Sequence, residues 1–321
     1  MSNSTASRLD RLVGLSSAKR LILRLARGDL GTHAVLLYGV PGSGKHELAR
    51  LLTQAWLCNS PGEEGACGEC RACMAFERGN AADFLSVAPQ GTSRIIVSRQ
   101  ISEPKEKKPD DPIPLITFFR TLPVQARHRV GLIEDAHRMN TTTSNGLLKT
   151  LEEPHPHAKI VLTTDSVGGV APTILSRCLA VACELPSDEE LLGIAVGASE
   201  DVIRMASGAP GRVMEALKKP DAYERIAAFG RSLWSRPSGA GLRAADDFKE
   251  VCEGLATLHG TGARAANALA LELLAVFLAR EPGSPAAWTQ AVIDAHRRIQ
   301  GNASAPIVFD ALFCQMLMER A

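Results

Sequence analysis

Gly39-Val-Pro-Gly-Ser-Gly-Lys45 is the stretch that decides the fold of this chain. An apolar run, Ala34–Tyr38, leads into it, and a helical pattern, His46–Trp56, leads out. Gly39, Gly42 and Gly44 let backbone N–H groups curl around a phosphate, and the start of the following helix adds the positive end of its dipole. Lys45 is placed to reach the β- and γ-phosphates. The strand–loop–helix setting separates a phosphate loop from a chance occurrence of the pattern, so an α/β nucleotide-binding fold is expected. The position after the lysine should carry Ser or Thr, whose hydroxyl holds Mg2+. Here it is His46, and imidazole poorly replaces an oxygen ligand in octahedral geometry.

A second stretch, Arg129-Val-Gly-Leu-Ile-Glu134-Asp135, is an apolar strand ending in paired acids. ATPases on this plan usually run Asp then Glu: first the metal ligand, then the residue that positions water. The reversed order leaves each acid one methylene wrong, in opposite directions, where phosphoryl transfer needs close positioning. ATP with Mg2+ is compatible with the loop; efficient hydrolysis is not expected.

Around these motifs, short apolar runs alternate with helical patterns. Ala34–Tyr38, Phe84–Val87, Val130–Ile133, Lys159–Thr164 and Leu179–Cys183 read as strands separated by helices, which predicts a parallel sheet. After Pro186-Ser187-Asp188-Glu189 the pattern is helical throughout, with Ser187 as N-cap. Gly208-Ala-Pro-Gly211 reads as a helix–helix turn, and Arg236–Gly241 as a linker. The expected domains are a nucleotide-site core at 1–186, a helical lid at 187–236 and a C-terminal helical domain at 237–321. Glu103–Pro114 is charged and holds four prolines, so a solvated loop is expected there.

Thirty-six basic residues against thirty-five acidic ones argue against a strongly basic nucleic-acid binder. Aromatic residues are few and not interleaved with basic ones, which also speaks against a general nucleic-acid-binding regulator. The polar N-terminus lacks the apolar stretch of a signal peptide, and the most apolar later run, Ala265–Leu278, is too short to span a bilayer. These features read as a cytoplasmic protein with no membrane partner.

Cysteines 58, 67, 70 and 73 fall within sixteen residues, as Cys58-x8-Cys67-x2-Cys70-x2-Cys73. Four thiolates at this spacing can surround one Zn2+ tetrahedrally, and a closed shell makes the role structural. The same ligands suit an iron–sulfur cluster, so spacing alone leaves both open. Cys178, Cys183, Cys252 and Cys314 sit among apolar neighbours and read as small core thiols.

The helix pattern Asn145-Gly-Leu-Leu-Lys-Thr-Leu-Glu-Glu-Pro154 presents Leu147, Leu148 and Leu151 on one face. It is followed by Ile160-Val-Leu-Thr-Thr-Asp165 and Pro172-Thr-Ile-Leu-Ser-Arg-Cys178. This succession resembles the AAA+ clamp-loader family of bacterial DNA polymerase III over residues 10–215. The resemblance implies that Thr163 or Thr164 is a sensor at the strand end. It implies that Arg177 is an arginine finger reaching ATP on a neighbouring subunit, and that Arg212 is the sensor on the lid. It also favours zinc in the cysteine module, and an oligomerisation collar in the C-terminal helices. The implied partners are other clamp-loader subunits in a hetero-oligomeric ring, with the sliding clamp and primed DNA reached through that complex. His46 and the Glu134-Asp135 order resemble the finger-donating member; the alternative, an ATP-hydrolysing motor subunit, calls for Ser or Thr after Lys45 and Asp-Glu in the second motif.

Overall fold

The computed structural model describes residues 8–9, 12–91, 94–104, 112–195, 199–206, 209–218 and 220–318. Strands β1 (Ala34–Tyr38), β2 (Phe84–Val87), β3 (Arg129–Ile133), β4 (Ala158–Thr164) and β5 (Leu179–Ala182) form a parallel sheet in the order β2-β3-β4-β1-β5. Each lies within one residue, at either end, of the segment expected from the sequence.

These strands are apolar runs because both faces of the sheet are covered. On one face pack Ile22 and Leu25 of α1 (Ser16–Arg27) and Leu48, Leu51, Leu52 and Trp56 of α2 (Lys45–Leu57). After α2 come α3 (Arg71–Glu77) and α4 (Ser98–Ile101). The other face takes Leu115, Phe118 and Phe119 of α5 (Leu115–Phe119), Leu147 and Leu151 of α6 (Thr141–Glu152), and Ile174 of α7 (Pro172–Leu175). Leu148 joins the same cluster, half-buried, as the expected apolar face requires. Gly131 sits mid-strand in β3 for a packing reason. A Cβ there would lie 2.6 Å from Leu115 Cδ1 and 2.9 Å from Phe119 Cζ, so the missing side chain is what lets α5 lie on the sheet.

The connection into β3 is pinned by one buried carboxylate. Asp83 accepts backbone N–H bonds from Val124, Gln125 and Ala126 at 2.7–2.8 Å. Arg129, 3.7 Å from Asp83, donates to the carbonyl of Phe118 at 2.8 Å and lies 4.5 Å from its ring centroid. In the sheet, Tyr38 pairs with Thr164 and Ile133 with Leu162, so β1, β3 and β4 end at one edge. Ligands of open parallel sheets bind in the crevice beyond such carboxyl ends.

The chain divides into two compact units, residues 1–190 and 191–321. Across the division runs α8 (Asp188–Ile194), whose start is capped as expected. Ser187 Oγ accepts from the Glu190 N–H at 3.3 Å, and the Glu190 carboxylate accepts from the Ser187 N–H at 2.9 Å. The second unit holds α9 (Glu200–Met205), α10 (Pro210–Lys218), α11 (Pro220–Ser232), α12 (Gly241–His259), α13 (Ala263–Arg280), α14 (Ala286–Gln300) and α15 (Ala305–Met318). Its main apolar core runs from Val202 to Leu317 and centres on Phe229, Phe248 and Phe313, with ring centroids 5.0–5.3 Å apart. The Pro- and Gly-bearing segment Arg236–Gly241 is packed: Ala240 is buried, and a Cβ on Gly241 would lie 2.6 Å from Cys314 Cα. Of the scattered thiols, Cys183 and Cys252 are buried, and burial pushes both up to about 12.

Gly208 of the expected helix–helix turn lies outside the described residues, as do residues 105–111 of the charged proline-bearing segment. Among the described residues no single helix is long and apolar enough to cross a membrane.

Candidate functional site

The residues singled out around the phosphate loop do meet. Gly39 N–H donates to the Thr164 carbonyl at 3.2 Å and ties the loop to the end of β4. A Cβ on Gly39 would lie 2.7 Å from the Cys183 carbonyl and 2.9 Å from Ser43 Oγ, so only glycine fits. Gly42 and Gly44 take φ of 82° and 92°, the left-handed region that curls the loop. Lys45 opens α2 with its side chain 1% exposed. Its ammonium pairs with the carboxylate of Asp165 and lies 3.4 Å from the Val40 carbonyl. Beside it, Ser43 Oγ is buried without a hydrogen-bond partner.

His46 Nδ1 lies 3.8 Å from Glu134 Oε2, and Glu134 also accepts from Ser86 Oγ at 3.1 Å. Asp135 adopts φ 52°, and its N–H donates to Thr163 Oγ1 at 3.3 Å. Thr164 is fully buried and its hydroxyl is engaged three ways: it donates to the Ser166 carbonyl at 2.9 Å, accepts from the Ser166 N–H at 3.1 Å, and meets His137 Nδ1 at 3.0 Å. One donor and two acceptor positions exhaust a hydroxyl. Thr164 therefore offers no unoccupied hydroxyl position to the crevice without breaking an internal contact.

Sequence reasoning missed Asp165 and His137. Asp165 lies one residue beyond Thr164, whose strand partner Tyr38 immediately precedes the glycine loop, and that long-range pairing is what brings it to Lys45.

Arg177 follows α7 and is held from three sides. Its Nη1 donates to the Thr173 carbonyl at 2.8 Å and to Ser176 Oγ at 3.1 Å, and its Nη2 lies 2.5 Å from Glu152 Oε1 on α6. A third of the side chain remains exposed. Arg212, on α10 in the second unit, pairs with Glu272 of α13 at 2.5 Å.

The four thiols of Cys58, Cys67, Cys70 and Cys73 converge, with their sulfurs all within 4.8 Å of one another. Cys58 follows α2, Cys70 precedes α3 and Cys73 lies inside it, so two helix ends supply the cradle. The Cys58 sulfur is 3.5 Å from that of Cys67 and 3.9 Å from that of Cys70. A tetrahedral ion with metal–sulfur bonds of about 2.3 Å spaces its sulfurs about 3.8 Å apart, so the set suits one such ion. Backbone N–H groups of Cys67 and Cys70 donate to the Cys58 and Cys67 sulfurs at 3.4 and 3.3 Å. Hydrogen bonding from the Cys73 thiol leads the contacts that bring Cys58 down to about 5; the same contact pushes Cys73 up, and burial raises Cys67. The module is stitched to the sheet connection by Asn59 Nδ2 donating to the Gln125 carbonyl at 2.8 Å and Arg127 N–H to the Leu57 carbonyl at 3.3 Å.

Comparison with known proteins places the chain in a family. The family model for the DNA polymerase III, delta subunit, matches residues 16–186. The chain is 32% identical over 228 residues to DNA polymerase III subunit delta' of Pseudomonas aeruginosa, covering 70% of this chain and 61% of that protein. It is 33% identical over 164 residues to DNA polymerase III subunit tau of Escherichia coli, covering 50% of this chain and 23% of that one. These matches thus span less than two thirds of either relative. Among solved structures, a DNA polymerase III gamma-subunit-related protein from Thermotoga maritima superposes with a TM-score of 0.52 at 17% identity, covering 94% of this chain and 99% of the other. The sheet order and the helices beyond it are thus those of an AAA+ fold.

Proposed function

The chain belongs to the DNA polymerase III, delta subunit, family, and from this premise we propose that it is a clamp-loader subunit of the delta-prime kind, which presents Arg177 to ATP bound by a neighbouring subunit. The observation that carries the reading is the contrast between two sites. Arg177 is braced by Thr173, Ser176 and Glu152, with a third of its side chain exposed. The chain's own nucleotide residues are tied to one another instead: Lys45 to Asp165, His46 to Glu134, Thr164 to Ser166 and His137. A guanidinium supplied from outside neutralises charge that develops on the transferring phosphoryl group.

When bound, ATP with Mg2+ would be held here by Gly39, Gly42, Gly44 and Lys45, with Glu134 and Asp135 beside it. His46 supplies no hydroxyl to the metal, so hydrolysis at this site is weak or absent. Cys58, Cys67, Cys70 and Cys73 hold a structural Zn2+ that fixes the ends of α2 and α3 and leaves no open position for chemistry. The lid at 187–236, with Arg212 as its sensor, and the C-terminal domain at 237–321, which joins the other subunits of the ring, belong to the same proposal. So do the sliding clamp and primed DNA as partners of the assembled complex, and a place in the cytoplasm.

The test is Arg177→Ala in a reconstituted complex. Assembly should persist while ATP turnover drops by about tenfold or more. Unchanged turnover in a complex shown to contain the variant overturns the role. Brisk hydrolysis by the isolated chain, abolished by Lys45→Ala, would instead establish the motor-subunit reading, which the intact glycine loop and lysine favour.

A further inference from the structure

We propose that Asp165 is the internal anion of the phosphate loop, occupying Lys45 in place of a polyphosphate and thereby setting how weakly this chain binds nucleotide. The inference rests on the reading of Gly39–Lys45 as a phosphate loop and extends it to a residue that the motif does not contain.

The geometry has three parts. Lys45 is 1% exposed, and an ammonium so deep in protein requires an anion close by. Asp165 supplies it from a position about one third exposed, so the carboxylate reaches inward from the rim of the crevice. The register explains why it can: Tyr38 lies opposite Thr164, and Gly39 N–H is bonded to the Thr164 carbonyl, so the loop leaving β1 and the residue following β4 start side by side.

The loop nevertheless keeps a form suited to anions. Gly42 and Gly44 stay in the left-handed region, and Ser43 Oγ is fully buried with no partner, lying 2.9 Å from where a Cβ on Gly39 would stand. That hydroxyl is an unused hydrogen-bonding group inside the loop. Two anions therefore compete for one lysine. An incoming polyphosphate must displace the Asp165 carboxylate and then lie beside its negative charge, which costs binding twice. Thr164 cannot compensate, because its hydroxyl is engaged by Ser166 and His137.

The experiment is calorimetric titration of the full chain with ADP and with inorganic pyrophosphate, without Mg2+. Asp165→Asn keeps the shape and removes the charge; it should bind about tenfold tighter than wild type or better. The gain should vanish in Asp165→Asn combined with Lys45→Met, and Asp165→Glu should stay near wild type. Equal affinities for wild type and Asp165→Asn overturn the proposal, as does a gain that survives loss of Lys45. Circular dichroism checks that each variant folds. Should the asparagine variant unfold, the wild-type chain decides, with the 13C resonance of Asp165 Cγ followed as pyrophosphate is added to saturation. A shift on binding is expected; binding without a shift, or no binding at any concentration, overturns the proposal. These readouts use the isolated chain, whereas the arginine-finger reading is tested by a partner's turnover, so either can fail alone.

Discussion

Arg177, just beyond α7, and Glu152 of α6 are joined at 2.5 Å, so the guanidinium is aimed by the same helix whose Leu147 and Leu151 anchor it in the core. Glu152→Gln should therefore act as a weakened copy of Arg177→Ala. It leaves the cation in place but loosens its aim, lowering ATP turnover of a reconstituted complex a few-fold, against about tenfold or more for removing the arginine. The check is a comparison of the two variants at equal incorporation.

Restoring a hydroxyl to the metal position should not restore an engine. His46→Thr leaves the reversed acids at 134 and 135 and leaves Lys45 paired with Asp165. Phosphate release by the isolated variant is expected to stay within about twofold of wild type. A large rise would mean that His46 alone silences the site.

Metal analysis of the pure protein should return about one zinc per chain. Cys73→Ser removes a buried ligand and should release the metal, lowering Tm by about 5–10 °C. Iron with visible absorbance in the native protein would replace the zinc assignment.

Asp83→Ala should be among the most destabilising single changes in the sheet unit. It strips three backbone N–H groups of their acceptor and leaves Arg129, itself 8% exposed, without its carboxylate. A loss of about 3–5 kcal/mol is expected in urea unfolding, read from the midpoint at unchanged slope.

Acid should weaken the fold partly through His128. Burial, together with the charges of Lys159 and Arg127, lowers this imidazole to about 4 in the folded chain. The ordinary value is near 6.5, so the unfolded chain binds the proton more readily. The contribution of His128 is fully present above about pH 6.5 and is lost as pH falls toward 4. Because the ring is only partly buried, the loss is on the order of 1–2 kcal/mol after screening. Unfolding measured between pH 7 and pH 4 should fall less steeply in His128→Gln.

The strands were legible because a parallel sheet covered on both faces writes itself as apolar runs. The phosphate loop, the paired acids and the four cysteines were legible because each needs fixed residue types at fixed spacing. Asp165 was not. Its role depends on Tyr38 pairing with Thr164 far along the chain, and no local pattern encodes that register. Thr164 could be placed at the strand end but not seen to be saturated, since His137 arrives from the turn after β3. Arg236–Gly241 shows the opposite difficulty. Pro, Ser and Gly suggest a linker, yet Gly241 is small so that two helices can touch at Cys314.

The placement of β1 has a consequence for biosynthesis. In the sheet it lies between β4 and β5, so Ala34 waits for Ile160 and Val35 for Leu179. At about 5–20 residues per second, the interval before β4 is even synthesised is roughly 6–25 s. Through that time the apolar strand Ala-Val-Leu-Leu-Tyr has emerged with both hydrogen-bonding edges unsatisfied, the condition under which nascent chains recruit chaperones or aggregate. Slowing translation between Lys45 and Ala158 should lengthen that exposure, while slowing it beyond Ala182 should not.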